Sequence, residues 1–145
     1  MRQIFLNIYG NCIKYNRLGG KVQTSCKCLG VDQEIVTYQW TIQDTGVGMS
    51  QEFIRHIFDP FAQERSDARS VYNGTGLGMA IVKNLVDKMN GTIEVKSEEG
   101  VGSTFVITLP FRLATEQSQE QQQQESEEIV EFGEHRGMSA ASGGR

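Results

Sequence analysis

The sequence predicts an α+β two-layer sandwich: a mixed, mainly antiparallel sheet covered on one face by helices. Three observations predict it. Residues 35–44 alternate Val36, Tyr38, Trp40 and Ile42 on one side, the period-2 signature of a half-buried strand. Residues 2–15 and 77–89 instead repeat their apolar side chains every three to four positions, as amphipathic helices do. Two final apolar stretches flank the loop Glu98-Glu99-Gly100-Val101-Gly102, as in a hairpin.

In chain order, residues 2–15 form a helix whose apolar face carries Ile4, Phe5, Ile8, Cys12 and Ile13. Residues 21–29 and 35–44 are strands around a turn at 30–33. Ser50 suits the N-cap of a short helix running to Ile57, because its hydroxyl can accept from a free first-turn N–H. Residues 77–89 form the second long helix, with Ile81, Val82, Leu85 and Met89 inward and Asn90-Gly91 as its stop. Residues 92–96 and 104–109 close the sheet as a hairpin.

The 145 residues carry a net charge of −4, but unevenly. Residues 1–111 hold 11 basic and 11 acidic side chains, whereas residues 112–145 hold three Arg and seven Glu. The charge therefore belongs to the C-terminal stretch, where 117–128 is nearly all Gln, Glu and Ser. So polar a segment buries too little surface to offset its ordering entropy, so 1–112 is expected to be one domain and 113–145 a disordered tail or linker. The lack of excess basic charge argues against a nucleic-acid partner. No apolar run approaches the ~20 residues that span a bilayer, and no secretory h-region opens the chain, so a cytoplasmic location without membrane contact is expected. Three cysteines cannot form a closed disulfide framework, and Cys26 and Cys28 are expected to be two small side chains on one strand face.

Three motifs carry candidate chemistry. On the first helix, Asn7, Asn11 and Lys14 fall in one stripe. Amide oxygens are hard ligands suited to Mg²⁺ and an ammonium suits phosphate, although a solvated helix face has the same pattern. Asp44-Thr45-Gly46-Val47-Gly48-Met49 ends a strand. Its carboxylate can accept from an exocyclic amine and its glycines admit a planar ligand, but an ordinary turn reads alike. Asn73-Gly74-Thr75-Gly76-Leu77-Gly78-Met79 runs into a helix, presenting backbone N–H groups to an anion or forming a simple hinge. Between these motifs stands Phe58-Asp59-Pro60-Phe61, followed by a polar stretch, 62–72, with the composition of a mobile lid.

Taken together and in this order, the motifs resemble the ATP-binding catalytic domain of sensor histidine kinases, within the Bergerat-fold (GHKL) ATPases. Residues 6–15, Leu-Asn-Ile-Tyr-Gly-Asn-Cys-Ile-Lys-Tyr, resemble the N box, 44–49 the G1 box, 58–61 the F box and 74–78 the G2 box. The resemblance covers 2–111 and is nearest in style to hybrid sensor kinases. It implies ATP and Mg²⁺ as cofactors. Asn11 would ligate the metal, with Asn7 and Lys14 supporting metal and phosphates and Tyr15 beside the nucleotide. Asp44 would take the adenine amine in a pocket shaped by Gly46 and Gly48. Gly74, Thr75, Gly76, Leu77 and Gly78 would bind the phosphates at the lid hinge. Asn11, Lys14 and Arg65 would serve catalysis, with Arg69 second to Arg65 as the lid cation.

Related topoisomerase- and chaperone-type ATPases place a water-activating glutamate where this chain has Asn7. An amide cannot take a proton, so ATP is expected to be bound without efficient hydrolysis, as a phosphotransferase requires. The implied partners are a histidine-bearing dimerisation domain, absent from this chain, and a receiver domain or response regulator. Neither His56 nor His135 lies on a helix pair that could present it as phosphoacceptor. The resemblance also implies two strands before the N box, so the fold is expected to be truncated at its N-terminus and the chain to be part of a larger protein, whose membrane anchoring stays open. A non-catalytic or inactive nucleotide-binding module is the alternative, and a serine-directed anti-sigma-type kinase a third reading.

Overall fold

The computed structural model describes residues 1–62 and 76–114. Among these run α1 (Arg2–Lys14), β1 (Val22–Asp32), β2 (Ile35–Asp44), α2 (Gln51–Ile54), α3 (Gly78–Lys88), β3 (Thr92–Glu98) and β4 (Gly102–Arg112). The chain divides into two units, Met1–Phe111 and Arg112–Arg145, and the first holds the helices and the sheet.

The strands form one sheet in the order β1-β2-β4-β3. β1 pairs antiparallel with β2, and β3 with β4. Ser103 N–H donates to Asp44 and Gln39 donates to Thr108, so successive positions of β4 meet receding positions of β2, and these strands also run antiparallel. The mainly antiparallel layer expected from the alternation is therefore present, with helices on one face. Ile42, Phe105, Ile107 and Leu109 project from the sheet, and Ile4, Ile8, Cys12, Val82 and Val86 meet them from α1 and α3. Burying each of the larger side chains contributes about 1.5–3 kcal/mol against leaving it in water. Toward one side, Phe5, Trp40, Tyr38 and Phe111 continue this layer as a chain of ring contacts, Phe5 edge-on to Trp40 at 5.3 Å.

The helices sit in a slightly different phase from that expected. On α1 the buried stripe is Ile4, Ile8 and Cys12, each four residues on, while Ile13 is 70% exposed. Ile13 lies nine residues from Ile4, about half a turn round at ~100° per residue, so it faces away. On α3 the stripe is Met79, Val82 and Val86, and Ile81 is 41% exposed. Leu85 and Met89 pack at its margin. The stop falls at Asn90, which adopts φ +56, and Gly91 N–H closes back on Val86 O at 3.0 Å.

β1 runs three residues further than expected. A bulge between Cys28 and Gly30 absorbs Leu29 and lets pairing resume to Asp32 opposite Ile35. The turn is then the two residues Gln33 and Glu34, both at positive φ. α2 stops at Ile54 rather than Ile57, but its N-cap is as expected, with Ser50 Oγ accepting from Phe53 N–H at 3.1 Å. No helix among the described residues is long and apolar enough to cross a membrane. The tail expected to be disordered lies, from residue 115 on, outside the described residues.

Candidate functional site

The burial of Ile4, Ile8 and Cys12 fixes the rotation of α1 and leaves Asn7, Asn11, Lys14 and Tyr15 half-buried beside the core. The two amides differ. Asn7 is committed at both ends: Oδ1 accepts from Gln3 Nε2 at 2.7 Å, and Nδ2 donates to Gly78 O at 3.1 Å. Asn11 is half-buried, and no side-chain hydrogen bond engages its amide among the described residues. Lys14 Nζ lies 5.5 Å from the centroid of the Tyr15 ring, a distance at which the ring face attracts the ammonium.

Asp44 ends β2 and is only 8% exposed. A buried carboxylate needs donors, and two backbone N–H groups supply them to Oδ1: Gly46 at 2.8 Å and Ser103 at 3.2 Å. The Cys12 thiol lies close enough to this carboxylate to feel its charge. Burial, and then the neighbouring carboxylate, push that thiol far above the ordinary range, so it stays protonated.

The glycines of the loop after β2 answer first to the protein itself. A Cβ on Gly46 would stand 2.6 Å from Tyr15 O, and one on Gly48, at φ +69, would stand 2.0 Å from Glu98 O. The expectation that these glycines serve ligand approach is thus joined by a packing reason, since the loop lies tight against the end of α1 and the β3–β4 turn. Val47 N–H donates to Tyr15 O at 3.1 Å, and Gly100 N–H donates to Val47 O at 2.8 Å.

At the other side, Phe61 N–H donates to Gly76 O at 2.9 Å. Both residues are at positive φ, and a Cβ on Gly76 would meet the Phe61 backbone at 2.7 Å. These contacts join the two described ends that flank residues 63–75. α3 begins just beyond, with Leu77 at its N-cap and no side-chain cap hydrogen bond. Among the described residues its first-turn N–H groups thus have no side-chain acceptor, and a helix start of this kind can bind an anion. Leu77 and Gly78 are placed beside Asn7 on α1; Arg65, Arg69, Gly74 and Thr75 lie outside the described residues, as does His135.

Two residues without a sequence signal complete the surroundings. Arg17 Nη2 donates to Gly46 O at 3.0 Å and to Gly100 O at 2.6 Å. Ser97 Oγ accepts from Met49 N–H at 2.8 Å and donates to Gly102 O at 2.8 Å. Neither belongs to a motif, because each acts across a loop contact distant in sequence. His56, set aside above as a phosphoacceptor, is exposed and bonds Asp59 through Nδ1 at 2.9 Å. Cys26 and Cys28 are exposed on β1. No group of three or more His, Cys, Asp or Glu side chains among the described residues could hold a metal, so an ion here would need amide and ligand oxygens.

A family model described as histidine kinase-, DNA gyrase B-, and HSP90-like ATPase matches residues 1–113. The autoinducer 2 sensor kinase/phosphatase LuxQ of Vibrio harveyi is 37% identical over 114 residues, covering 77% of this chain and 13% of that protein. The hybrid signal transduction histidine kinase A of Dictyostelium discoideum is 40% identical over 119 residues, covering 78% and 6%. The chain thus spans a small part of the curated relatives it matches. Among solved structures, the mycobacterial sensor histidine kinase MprB superimposes with a TM-score of 0.60 at 28% identity, over 77% of this chain and 72% of that one. Full-length ShkA in complex with AMPPNP gives 0.58 at 32% identity, over 79% and 22%.

Proposed function

The chain belongs to the family of histidine kinase-, DNA gyrase B- and HSP90-like ATPases, and on that premise we propose that it is the ATP-binding catalytic module of a sensor histidine kinase, holding Mg-ATP while the γ-phosphoryl passes to a histidine on a separate dimerisation domain. The observation that carries this reading is the Asp44 carboxylate, buried at a strand end and fixed through Oδ1 by two backbone donors. So held, it can present its other oxygen to the amino group of adenine at no reorganisation cost.

The rest of the site divides the work. The Asn11 amide oxygen is a hard ligand that fits Mg²⁺, which takes few protein oxygens and completes its shell with waters and phosphates. The ion would neutralise charge on the phosphate oxygens. Lys14 would add a point charge there, and the uncapped start of α3 its N–H groups. The cation from residues 63–75 would be Arg65, with Arg69 second. In the transfer, the bond from the γ-phosphorus to its bridging oxygen breaks and a phosphorus–nitrogen bond forms on the partner histidine, so positioning and charge are what this chain supplies. Asn7 supports transfer over hydrolysis: its amide cannot accept a proton, and both its ends are already engaged. A receiver domain or response regulator would take the phosphoryl group next.

The test is binding of a non-hydrolysable ATP analogue with and without Mg²⁺, then phosphotransfer to a supplied dimerisation domain. Wild type is expected to bind in a Mg²⁺-dependent way and Asp44→Ala to lose binding. Equal binding by both would refute the pocket. Binding without phosphorylation of any histidine partner would favour a non-catalytic nucleotide module.

A further inference from the structure

We propose that Arg17 is a positioning residue for the adenine end of the pocket: its guanidinium straps the loop after β2 to the β3–β4 turn and so holds Asp44 in place. The inference rests on the reading of the site as an ATP pocket.

Arg17 follows α1, yet its Nη2 reaches two carbonyls far away in sequence, Gly46 at 3.0 Å and Gly100 at 2.6 Å. One guanidinium nitrogen carries two hydrogens, so each carbonyl receives its own charge-assisted bond. The same two segments are already linked by Gly100 N–H to Val47 O, and Val47 N–H is linked to Tyr15 O. The end of α1, the 44–48 loop and the 98–102 turn are thus linked in series, and Arg17, just beyond α1, closes the ring by bonding the Gly46 and Gly100 carbonyls.

Gly46 is the pivot. Its N–H donates to Asp44 Oδ1 at 2.8 Å, while its carbonyl is the group Arg17 holds. Gly46 and Gly48 leave this loop more backbone freedom than side-chain-bearing residues would. Without the strap, the Gly46–Val47 peptide keeps its bond from Val47 N–H to Tyr15 O but loses the one that fixes the Gly46 carbonyl, so Gly46 can shift and its N–H bond to Asp44 weakens. Arg17 itself is exposed and outside the buried core, so its removal is not expected to unfold the domain.

The experiment is displacement calorimetry on the full 145-residue chain with Mg-ATP, Mg-ADP and adenosine, comparing wild type, Arg17→Ala, Arg17→Lys and Asp44→Ala. Arg17→Ala is expected to weaken all three ligands by the same factor, about tenfold, the worth of one charge-assisted hydrogen bond, with unchanged stoichiometry. Arg17→Lys is expected to recover part of the loss, since an ammonium can still donate to one carbonyl. A loss confined to ATP and ADP would overturn the proposal in favour of a phosphate contact. Unchanged affinity for all three would overturn it outright, and so would a fall in stoichiometry with unchanged affinity, the mark of a merely structural role. If wild type itself fails to bind, or Asp44→Ala binds equally well, the pocket reading fails and the proposal falls with it.

Discussion

Asn7 Nδ2 donates to the carbonyl oxygen of Gly78 at 3.1 Å, tying α1 to the first residue of α3 across 71 positions of sequence. The bond matters because the start of α3 has no side-chain cap of its own. Its position is set by what holds it from outside, and Asn7 is itself oriented by Gln3.

Replacing Asn7 should therefore disturb the phosphate end of the site more than the adenine end. Asn7→Asp keeps an acceptor for Gln3 but sets an oxygen against Gly78 O where a donor stood. A loss of about 1–2 kcal/mol in stability is expected, the cost of an unmade bond at a half-buried carbonyl. Urea denaturation measures it. In competition binding, ATP affinity should fall more than adenosine affinity. Equal losses would mean that the tether does not position the helix start.

Cys12 gives a pH prediction. Burial, and secondarily Asp44, raise its folded value above the ordinary 9.0. Below that ordinary value both states keep the proton and the stabilisation is complete. Above it the unfolded chain releases the proton while the folded chain holds it, so stability is lost as pH rises, by up to about 1.4 kcal/mol per unit. Denaturation midpoints at and above pH 9 should fall more steeply for wild type than for Cys12→Ala. Native alkylation should modify the exposed Cys26 and Cys28 and spare Cys12 until denaturant is added.

Much of the fold was legible in the sequence because it is periodic. β2 matches its alternation from Ile35 to Asp44, and the Ser50 cap follows from a hydroxyl before a short apolar helix. Periodicity gave the helices but not their phase, since Ile13 and Ile81 are as apolar as their buried neighbours and only tertiary packing chooses between faces. The bulge at Leu29 was invisible because the pairing partner decides it. At the candidate site, motifs singled out Asn7, Asn11, Asp44, Gly46, Gly48 and Gly78, while no motif singled out Arg17 or Ser97. Their partners lie in loops that meet only after folding.

The β1–β2 hairpin is a place where the sequence contradicts its own backbone. Its two-residue turn requires positive φ at both positions, which suits Asn-Gly, yet Gln33 and Glu34 stand there at φ +46 and +66. An L side chain in this region costs about 1–2 kcal/mol. Glu34→Gly should recover part of that and raise stability by about 0.5–1 kcal/mol, after the added entropy of the unfolded chain. Gln33→Asn should act in the same direction. A thermal melt of each variant decides it; a lowered midpoint would mean that the side chains have contacts worth more than the strain.

Gly10 and Gly48 should respond to alanine in opposite senses. Gly10 lies inside α1, and a Cβ there would meet nothing within 4 Å. Gly10→Ala should stabilise the chain by about 0.5–1 kcal/mol through helix propensity and reduced unfolded-state entropy. Gly48 is at φ +69, and its Cβ would fall 2.0 Å from Glu98 O, a backbone atom that cannot swing aside. Gly48→Ala must therefore move the loop or the β3–β4 turn, at a cost of about 1–3 kcal/mol for the backbone conformation alone. Because that loop follows Asp44 directly and supplies the Gly46 N–H that holds its carboxylate, nucleotide affinity should fall with stability. Paired melts and binding curves check both. A Gly48→Ala variant as stable as wild type would show that the loop has a second packing open to it, which would remove the packing reason for glycine and leave ligand approach as the explanation.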